Sequence, residues 1–246
     1  VTGALIGAVG VVVPVHDEVT HLPACLSAID CALTALPRSI LRFAVVVLDA
    51  CTDGSDGVAQ RWASGENRAL LRVDFRSVGR ARAAGMARVL ERLSPYPAPS
   101  TWLATTDADS VVPHAWLTEQ LRLANAGAAA VAGSIQVGDW DGYPARVVER
   151  FLRFYEPPGS GDAHTHVHGA NLGVRADAYL EVGGFEPIAT GEDHALWTAL
   201  QRAARPRVSS RRLAVQTSAR RHARAPRGFS DFLAALAARA PGESET

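Results

Sequence analysis

The feature that most constrains this chain is a rhythm. Up to Thr106, short β-branched runs alternate with longer segments whose apolar residues recur at three- and four-residue spacing. The runs are Val9–Val15, Phe43–Leu48, Leu70–Phe75 and Trp102–Thr106, and the segments between them are His21–Leu36, Asp53–Ala63 and Gly79–Leu93. A βαβα alternation predicts a mostly parallel sheet with helices on both faces, because parallel neighbours need a crossover. Val45, Val46, Val47 and Leu48 form an unbroken apolar run, as a central strand covered on both sides requires.

Beyond Pro113 the spacing predicts a helix over Ala115–Ala124 and a strand over Ala128–Val137. From Asp139 to Gly169 the pattern weakens, with Trp140, Tyr143 and a helix-like Ala145–Tyr155. Pro157, Pro158, Gly159, Ser160 and Gly161 make a loop. A strand at Ala170–Val174 and helices at Ala176–Val182 and Asp193–Ala203 follow. Gly228–Arg239 sets Phe229, Phe232, Leu233 and Leu236 on one side. No internal repeat and no linker interrupts the chain, so a single domain over 1–240 is expected, with 241–246 a frayed polar tail. The 246 residues suit one α/β domain with a full core.

Charge excludes one class of partner. The 25 basic residues balance the 25 acidic ones, so no overall field draws the chain to nucleic acid, and any anion binding must come from local clusters. Cys25, Cys31 and Cys51 are odd in number and form no Cys-x-x-Cys pair. They point away from a disulfide framework or zinc knuckle and toward a reducing cytosol. Val1–Val15 has no basic n-region and is too short and Gly-broken to span a bilayer, so it reads as a lead-in and a buried first strand.

Open parallel sheets bind ligands outside the carboxyl ends of their strands, and three polar clusters stand at such ends. The first is Pro14-Val15-His16-Asp17-Glu18. The second is Asp49-Ala50-Cys51-Thr52-Asp53-Gly54-Ser55, where Asp49 can accept from the edge of a bound base and Thr52 and Asp53 can equally cap a helix. The third is Asp107-Ala108-Asp109. Residues i and i+2 of an extended chain point the same way, and two carboxylates so placed repel unless a cation or proton lies between them. A hard divalent ion, Mn²⁺ or Mg²⁺, resolves that conflict, while a capped polar turn before Pro113 is the plainer alternative.

In their order and setting the motifs resemble those of the family 2 glycosyltransferases, with the GT-A fold of the nucleotide-diphospho-sugar transferase superfamily. Pro14–Glu18 stands for the family's Pro-x-aromatic-Asn-Glu and Asp49–Ser55 for its Asp-x-Ser/Cys-Thr-Asp-Gly-Thr. Gly79-Arg80-Ala81-Arg82-Ala83-Ala84-Gly85 matches its Gly-x-Ala-x-x-x-Gly helix, and Asp107-Ala108-Asp109 its D-x-D. Gly183-Gly184-Phe185 and Glu192-Asp193 follow in place. The likeness covers about Val9 to Leu200. It implies a Rossmann-like sheet flanked by helices and a metal-dependent transfer of a sugar from a UDP- or GDP-type donor. It further implies that Pro14, His16, Glu18 and Asp49 line the nucleoside pocket, with Arg80 and Ala108 also on the donor side. Asp107 and Asp109 would hold the metal, ribose and diphosphate, and Asp193 would deprotonate an acceptor hydroxyl. His168, Asn171, Gly184 and Glu192 fall on the acceptor side, and the acceptor is a small molecule or a lipid-linked one. His16 replaces an aromatic, Asp17 an Asn, and Leu48 a frequent second carboxylate, so the base read is left open.

Softer signals remain. His164, His166 and His168 share one side of an extended segment, as a metal site or as loop histidines near the acceptor cleft. Arg220, Arg221, His222, Arg224 and Arg227 form a basic run that is either a solvated stretch or a closure over the diphosphate with His222 as a metal ligand. Gly228–Arg239 packs on the body or docks at the inner face of the membrane, and the protein is otherwise expected in the cytoplasm. Thr190-Gly191-Glu192-Asp193 also resembles a capping box. The rival functions are a nucleotidyltransferase, which needs a Gly-rich basic loop where Pro14–Glu18 stands, and a non-catalytic nucleotide-sugar-binding module.

Overall fold

The computed structural model describes residues 4–140, 142–155, 161–188, 190–219, 233, 237 and 238. The first strand, β1 (Ala8–Val15), is buried along its whole length. It pairs in parallel with β2 (Leu41–Asp49) on one side and β4 (Thr101–Thr105) on the other, and β3 (Arg68–Val73) extends the sheet beyond β2. Side-chain alternation along β1 divides the core in two. Val9, Val11, Val13 and Val15 pack with α1 (Leu22–Thr34), α2 (Ser55–Ala63) and α4 (Trp116–Asn125). Ala8 and Val12 face α3 (Val78–Arg92), α6 (Ala176–Glu181) and α7 (Glu192–Arg202) on the opposite side. At Gly85 the axis of α3 comes so close to β1 that any Cβ would run into the Val12 side chain, which is why this helix needs a glycine there.

The eight strands lie in the order β3-β2-β1-β4-β7-β6-β8-β5, completed by β5 (Ser110–Val111), β6 (Ala130–Val137), β7 (Leu172–Arg175) and β8 (Arg207–Thr217). Parallel pairing joins β1 to β2 and β4, β2 to β3, and β6 to β8, while β7 runs antiparallel to both β4 and β6 and β5 antiparallel to β8. The chain steps outward from β1 through β2 to β3 and then returns to β4 on the other side of β1. That reversal opens a crevice at the carboxyl ends of β1 and β4.

Two elements differ from the sequence expectation. No strand is expected over Arg207–Thr217, whose arginines and serines hide the two-residue alternation of buried Leu213, Val215 and Thr217. The run expected to continue as a strand to Phe75 stops at Val73, because the backbone N–H groups of Phe75, Arg76 and Ser77 turn to the carboxylate of Asp49 instead of a ladder.

A third cluster holds α5 (Ala145–Tyr155), which buries Val147, Phe151 and Tyr155 against Ile135, Ala170 and Leu233. Leu233 is thus packed on the body, while most of Gly228–Arg239 and the tail from Pro241 lie outside the described residues. Among the described residues no helix is long and apolar enough to cross a membrane.

Candidate active site

The exits of β1 and β2 are clipped together. Asp17 adopts a left-handed φ of 54°, and its Oδ1 accepts from the N–H groups of Thr52 at 2.6 Å and Asp53 at 3.1 Å. The Thr52 N–H above all holds its carboxyl below the usual range. In return Val19 N–H donates to Asp53 Oδ2 at 2.8 Å and Glu18 N–H donates to Ser55 Oγ at 2.9 Å. Asp17 takes a place the family gives to Asn, and it fills that place as an acceptor of backbone donors. Glu18 is buried, 3.2 Å from the ring Nδ1 of His21. His16 is exposed and donates from Nδ1 to the Asp49 carbonyl at 2.7 Å. Pro14 stands two residues past the last β1–β4 pair, Val12 with Thr105, where a missing N–H costs no rung of that ladder.

Asp49 corrects the expectation of an open carboxylate at the base edge. Its side chain is buried, with Oδ1 accepting from Phe75 N–H (2.6 Å) and Arg76 N–H (2.8 Å) and Oδ2 from Ser77 N–H (2.9 Å). It is therefore the anchor of the β3–α3 loop. That loop carries Phe75, over whose ring the exposed Arg80 guanidinium sits at 4.2 Å. Ser77 caps α3 by accepting from Arg80 N–H.

Beyond β4 lies the D-x-D. Asp107 and Asp109 are partly exposed at the crevice and Ala108 between them is buried. The loop is fixed at both ends. Ser110 N–H and Cys25 Sγ donate to the Asp107 carbonyl, and Ser110 Oγ bonds Thr217 Oγ1 at 3.1 Å where β5 meets β8. The residue sequence reasoning missed is Arg82. Its side chain is 3% exposed, yet it donates from Nε to Thr105 Oγ1 at 3.3 Å, from one terminal nitrogen to Asp107 Oδ1 and from the other to Glu192 Oε1. The signal was legible: Arg82 falls on the buried stripe that Gly79, Gly85, Met86 and Val89 define, a position a charged residue occupies only with partners. Part of the cation that two neighbouring aspartates demand is thus supplied by the chain itself.

Gly191, at φ 80°, opens α7, and Asp193 follows in its first turn. Asp193 is partly exposed; Oδ2 accepts from Gly169 N–H at 2.7 Å and Oδ1 from the N–H of His194 at 2.7 Å. Gly169 lies against the Arg82 guanidinium, where a Cβ would collide with it. Through Gly169 and Glu192, the same arginine that holds Asp107 fixes both flanks of Asp193. His168 precedes Gly169 and is half-buried; desolvation pushes its imidazole down to about 4, against an opposing pull from Asp193 and Asp107.

Three residues expected on the acceptor side prove to be frame. Asn171 is wholly buried, with Oδ1 accepting from Trp116 Nε1 (2.9 Å) and Nδ2 donating to the carbonyls of Ser134 (2.8 Å) and Leu213 (2.7 Å). It pins the place where the β6–β8 register slips between Gly133 and Ser134. Glu192 is buried and turned to Arg82. Gly184, at φ 75°, holds a turn in which its N–H reaches the Tyr179 carbonyl at 2.9 Å. Each is consumed by an internal partner, which sequence spacing does not reveal. His222, expected as a metal ligand, lies outside the described residues. Among those residues no group of three His, Cys, Asp or Glu side chains converges as a metal site.

The family model "Glycosyl transferase family 2" matches residues 10–183. A search of the curated proteins finds no match. Among solved structures, S. aureus TarS 1–349 in complex with UDP-GlcNAc superposes with a TM-score of 0.65 at 11% identity, over 90% of this chain and 61% of that one. The mannosyltransferase PcManGT from Pyrobaculum calidifontis, in complex with GDP-Man and Mn²⁺, gives 0.61 at 20% identity, over 91% of this chain and 59% of that one. The chain therefore spans about 60% of the length of these structures. At such identities the likeness establishes the fold, a GT-A arrangement of one mixed sheet flanked by helices.

Proposed function

This chain belongs to glycosyl transferase family 2, and from that premise we propose that it moves a sugar from a UDP- or GDP-type donor to an acceptor hydroxyl by a single, inverting displacement. The observation that carries this reading is Arg82. One buried guanidinium joins Asp107 of the D-x-D to Glu192, the neighbour of Asp193, so the donor end and the base end belong to one site.

In the proposed step the acceptor oxygen bonds to the anomeric carbon as its proton passes to Asp193. The anomeric C–O bond to the diphosphate breaks, and its electron pair leaves with the nucleoside diphosphate. A base in hydrogen-bond reach contributes roughly 10²–10⁴-fold. The Gly169 N–H holds the Asp193 carboxylate in place for that transfer. On the donor side, the loop anchored by Asp49 presents Phe75, with Arg80 of α3 stacked on its ring, and the clipped β1 exit presents His16, to the nucleoside.

The residues fit a hard divalent ion. Asp109 is a partly exposed carboxylate at the crevice with Asp107 two residues before it. Mg²⁺ and Mn²⁺ are commonly held by one or two carboxylates, with phosphate oxygens and water completing the set. Asp109 would hold the ion, with His222 as a further ligand. When bound, it supplies positive charge against the diphosphate as it leaves. TarS and PcManGT, seen with UDP-GlcNAc and with GDP-Man and Mn²⁺, support this donor class.

The test is a thermal-shift screen of UDP- and GDP-sugars with and without Mn²⁺, followed by turnover of whichever donor stabilises the protein. A metal-dependent shift with sugar transfer or donor hydrolysis is expected. Binding without turnover would leave a binding module, and pyrophosphate release from a nucleoside triphosphate would mark a nucleotidyltransferase.

A further inference from the structure

The helix α5 carries charge that the fold leaves unspent. Its inner side is settled: Val147, Phe151 and Tyr155, at i, i+4 and i+8, pack on Ile135, Ala170 and Leu233. Its outer side carries Arg146, Arg150 and Arg153, whose i, i+4, i+7 spacing sets them in one stripe about 10 Å long. Leu152 and Phe154, each 44% exposed, border the outer arc on its two edges. The helix is held as a rigid piece: Arg211 of β8 donates to the Tyr155 carbonyl at 2.6 Å, and Tyr155 lies flat against His166 at 4.3 Å.

Several surface arginines elsewhere are spent on a carboxylate: Arg68 on Asp30, Arg72 on Asp56, Arg122 on Glu119 and Arg205 on Glu181. Arg146 and Arg153 are exposed and make no hydrogen bond or ion pair among the described residues. Glu149 stands between them at three- and four-residue spacing, within reach of a helical ion pair, and pairs with neither. Three arginines against one glutamate leave the outer side of the helix positive. The segment expected to meet a membrane is engaged elsewhere: Leu233, one of the apolar residues of Gly228–Arg239, is fully buried in the cluster that α5 covers.

The chemistry of this side selects the partner. A guanidinium is always charged and its planar fork matches a phosphate, so the stripe fits an anionic, phosphate-bearing surface. The 25 basic residues of the chain are balanced by 25 acidic ones, and no wider field draws in a nucleic acid. An aliphatic edge such as Leu152 gains nothing beside a nucleic-acid backbone and gains by entering the acyl boundary of a bilayer. We propose that the outer side of α5 docks on an anionic lipid surface, with Arg146, Arg150 and Arg153 on headgroup phosphates and Leu152 and Phe154 flanking them at the acyl boundary. The docked helix lies next to the candidate base: Tyr155 also stacks on His168 at 5.5 Å, and the N–H of the following Gly169 holds Asp193. The contact is electrostatic and reversible, each arginine contributing about fivefold in affinity near such a surface, and it stands independently of the transferase reading.

The test is sedimentation of the full chain with phosphatidylcholine vesicles, alone and with phosphatidylglycerol added. Binding is expected only with the anionic lipid, and it fades as salt rises and the Debye length shortens. Arg146→Gln combined with Arg153→Gln keeps good helix formers and lowers the affinity roughly 20- to 30-fold. The same double variant leaves the urea midpoint unchanged, because neither arginine has a partner to lose. Leu152→Gln weakens vesicle binding without changing its salt dependence. Equal binding to neutral and anionic vesicles, binding to neither, or either variant binding as wild type does overturns the inference. Tighter binding to a single-stranded oligonucleotide than to anionic vesicles overturns it too, in favour of a nucleic-acid contact. Calorimetry with the nucleotide sugar reports separately on the transferase reading, whose failure leaves vesicle binding intact.

Discussion

Replacing Arg82 by Met keeps the volume of the side chain and removes its charge. The magnitude follows from what is stranded. Glu192 has a side chain 3% exposed and loses its ion-pair partner, a change that costs about 3–5 kcal/mol for a buried pair. The Asp107 arm adds little, because that carboxylate is 39% exposed and water can replace the guanidinium. At about 2–4 °C per kcal/mol for a chain of this size, the melting temperature falls by roughly 10 °C. The loss comes from leaving Glu192 alone and does not measure a net gain from the pair, since a buried ion pair as a whole is often neutral against an apolar replacement. Arg82→Met with Glu192→Gln is therefore expected to be more stable than Arg82→Met alone, with a coupling of about 2 kcal/mol. The assay is urea unfolding followed by tryptophan fluorescence for wild type, both single variants and the double variant, comparing midpoints at equal slope. An Arg82→Met loss below about 1 kcal/mol, or additive single variants, would refute the claim that this arginine organises the site.

Other outcomes follow from the same geometry. Asp193→Asn is expected to lower transfer at least about 10²-fold while the donor's dissociation constant stays put; near-normal transfer removes Asp193 as the base. Asp109→Asn is expected to abolish the Mn²⁺-dependent part of the donor thermal shift, and a retained metal response would move the ion elsewhere. Three histidines also set a pH dependence. His164, His166 and His168 have folded-state affinities below the ordinary 6.5, His168 at about 4, so the stability they contribute is complete above pH 6.5 and is lost as pH falls toward 4. The urea midpoint should decline between pH 6.5 and 5, before the lowered carboxylates such as Asp17 begin to titrate, and should decline less in His168→Phe; a flat midpoint in wild type would contradict the burial of these rings.

The sequence determined the sheet's first half. Val9–Val15 and Val45–Leu48 are apolar on both faces, and a strand of that kind is stable only with helices above and below it. Their exits, Pro14–Glu18, Asp49 and Asp107–Asp109, could be placed at the crevice from order alone, because ligand sites of such sheets lie at the carboxyl ends of the strands. β8 stayed hidden because its first half is a run of arginines and serines in which only Ser210 is buried, so the alternation that Leu213, Val215 and Thr217 carry is short and the periodicity faint.

What only the tertiary structure decided is which polar side chains are spent on the chain itself. Asp49 and Asn171 look like ligand-binding residues in sequence, yet each is saturated by internal partners, Asp49 by three backbone donors that converge from β3–α3 and Asn171 by Trp116, Ser134 and Leu213. Arg82 stands on the buried stripe of its helix, but only the fold shows that its partners are Asp107 and Glu192, the latter 110 positions away. A hydrogen bond depends on distance and direction between groups remote in the chain, and local spacing, which sets helices and strands, carries no record of either.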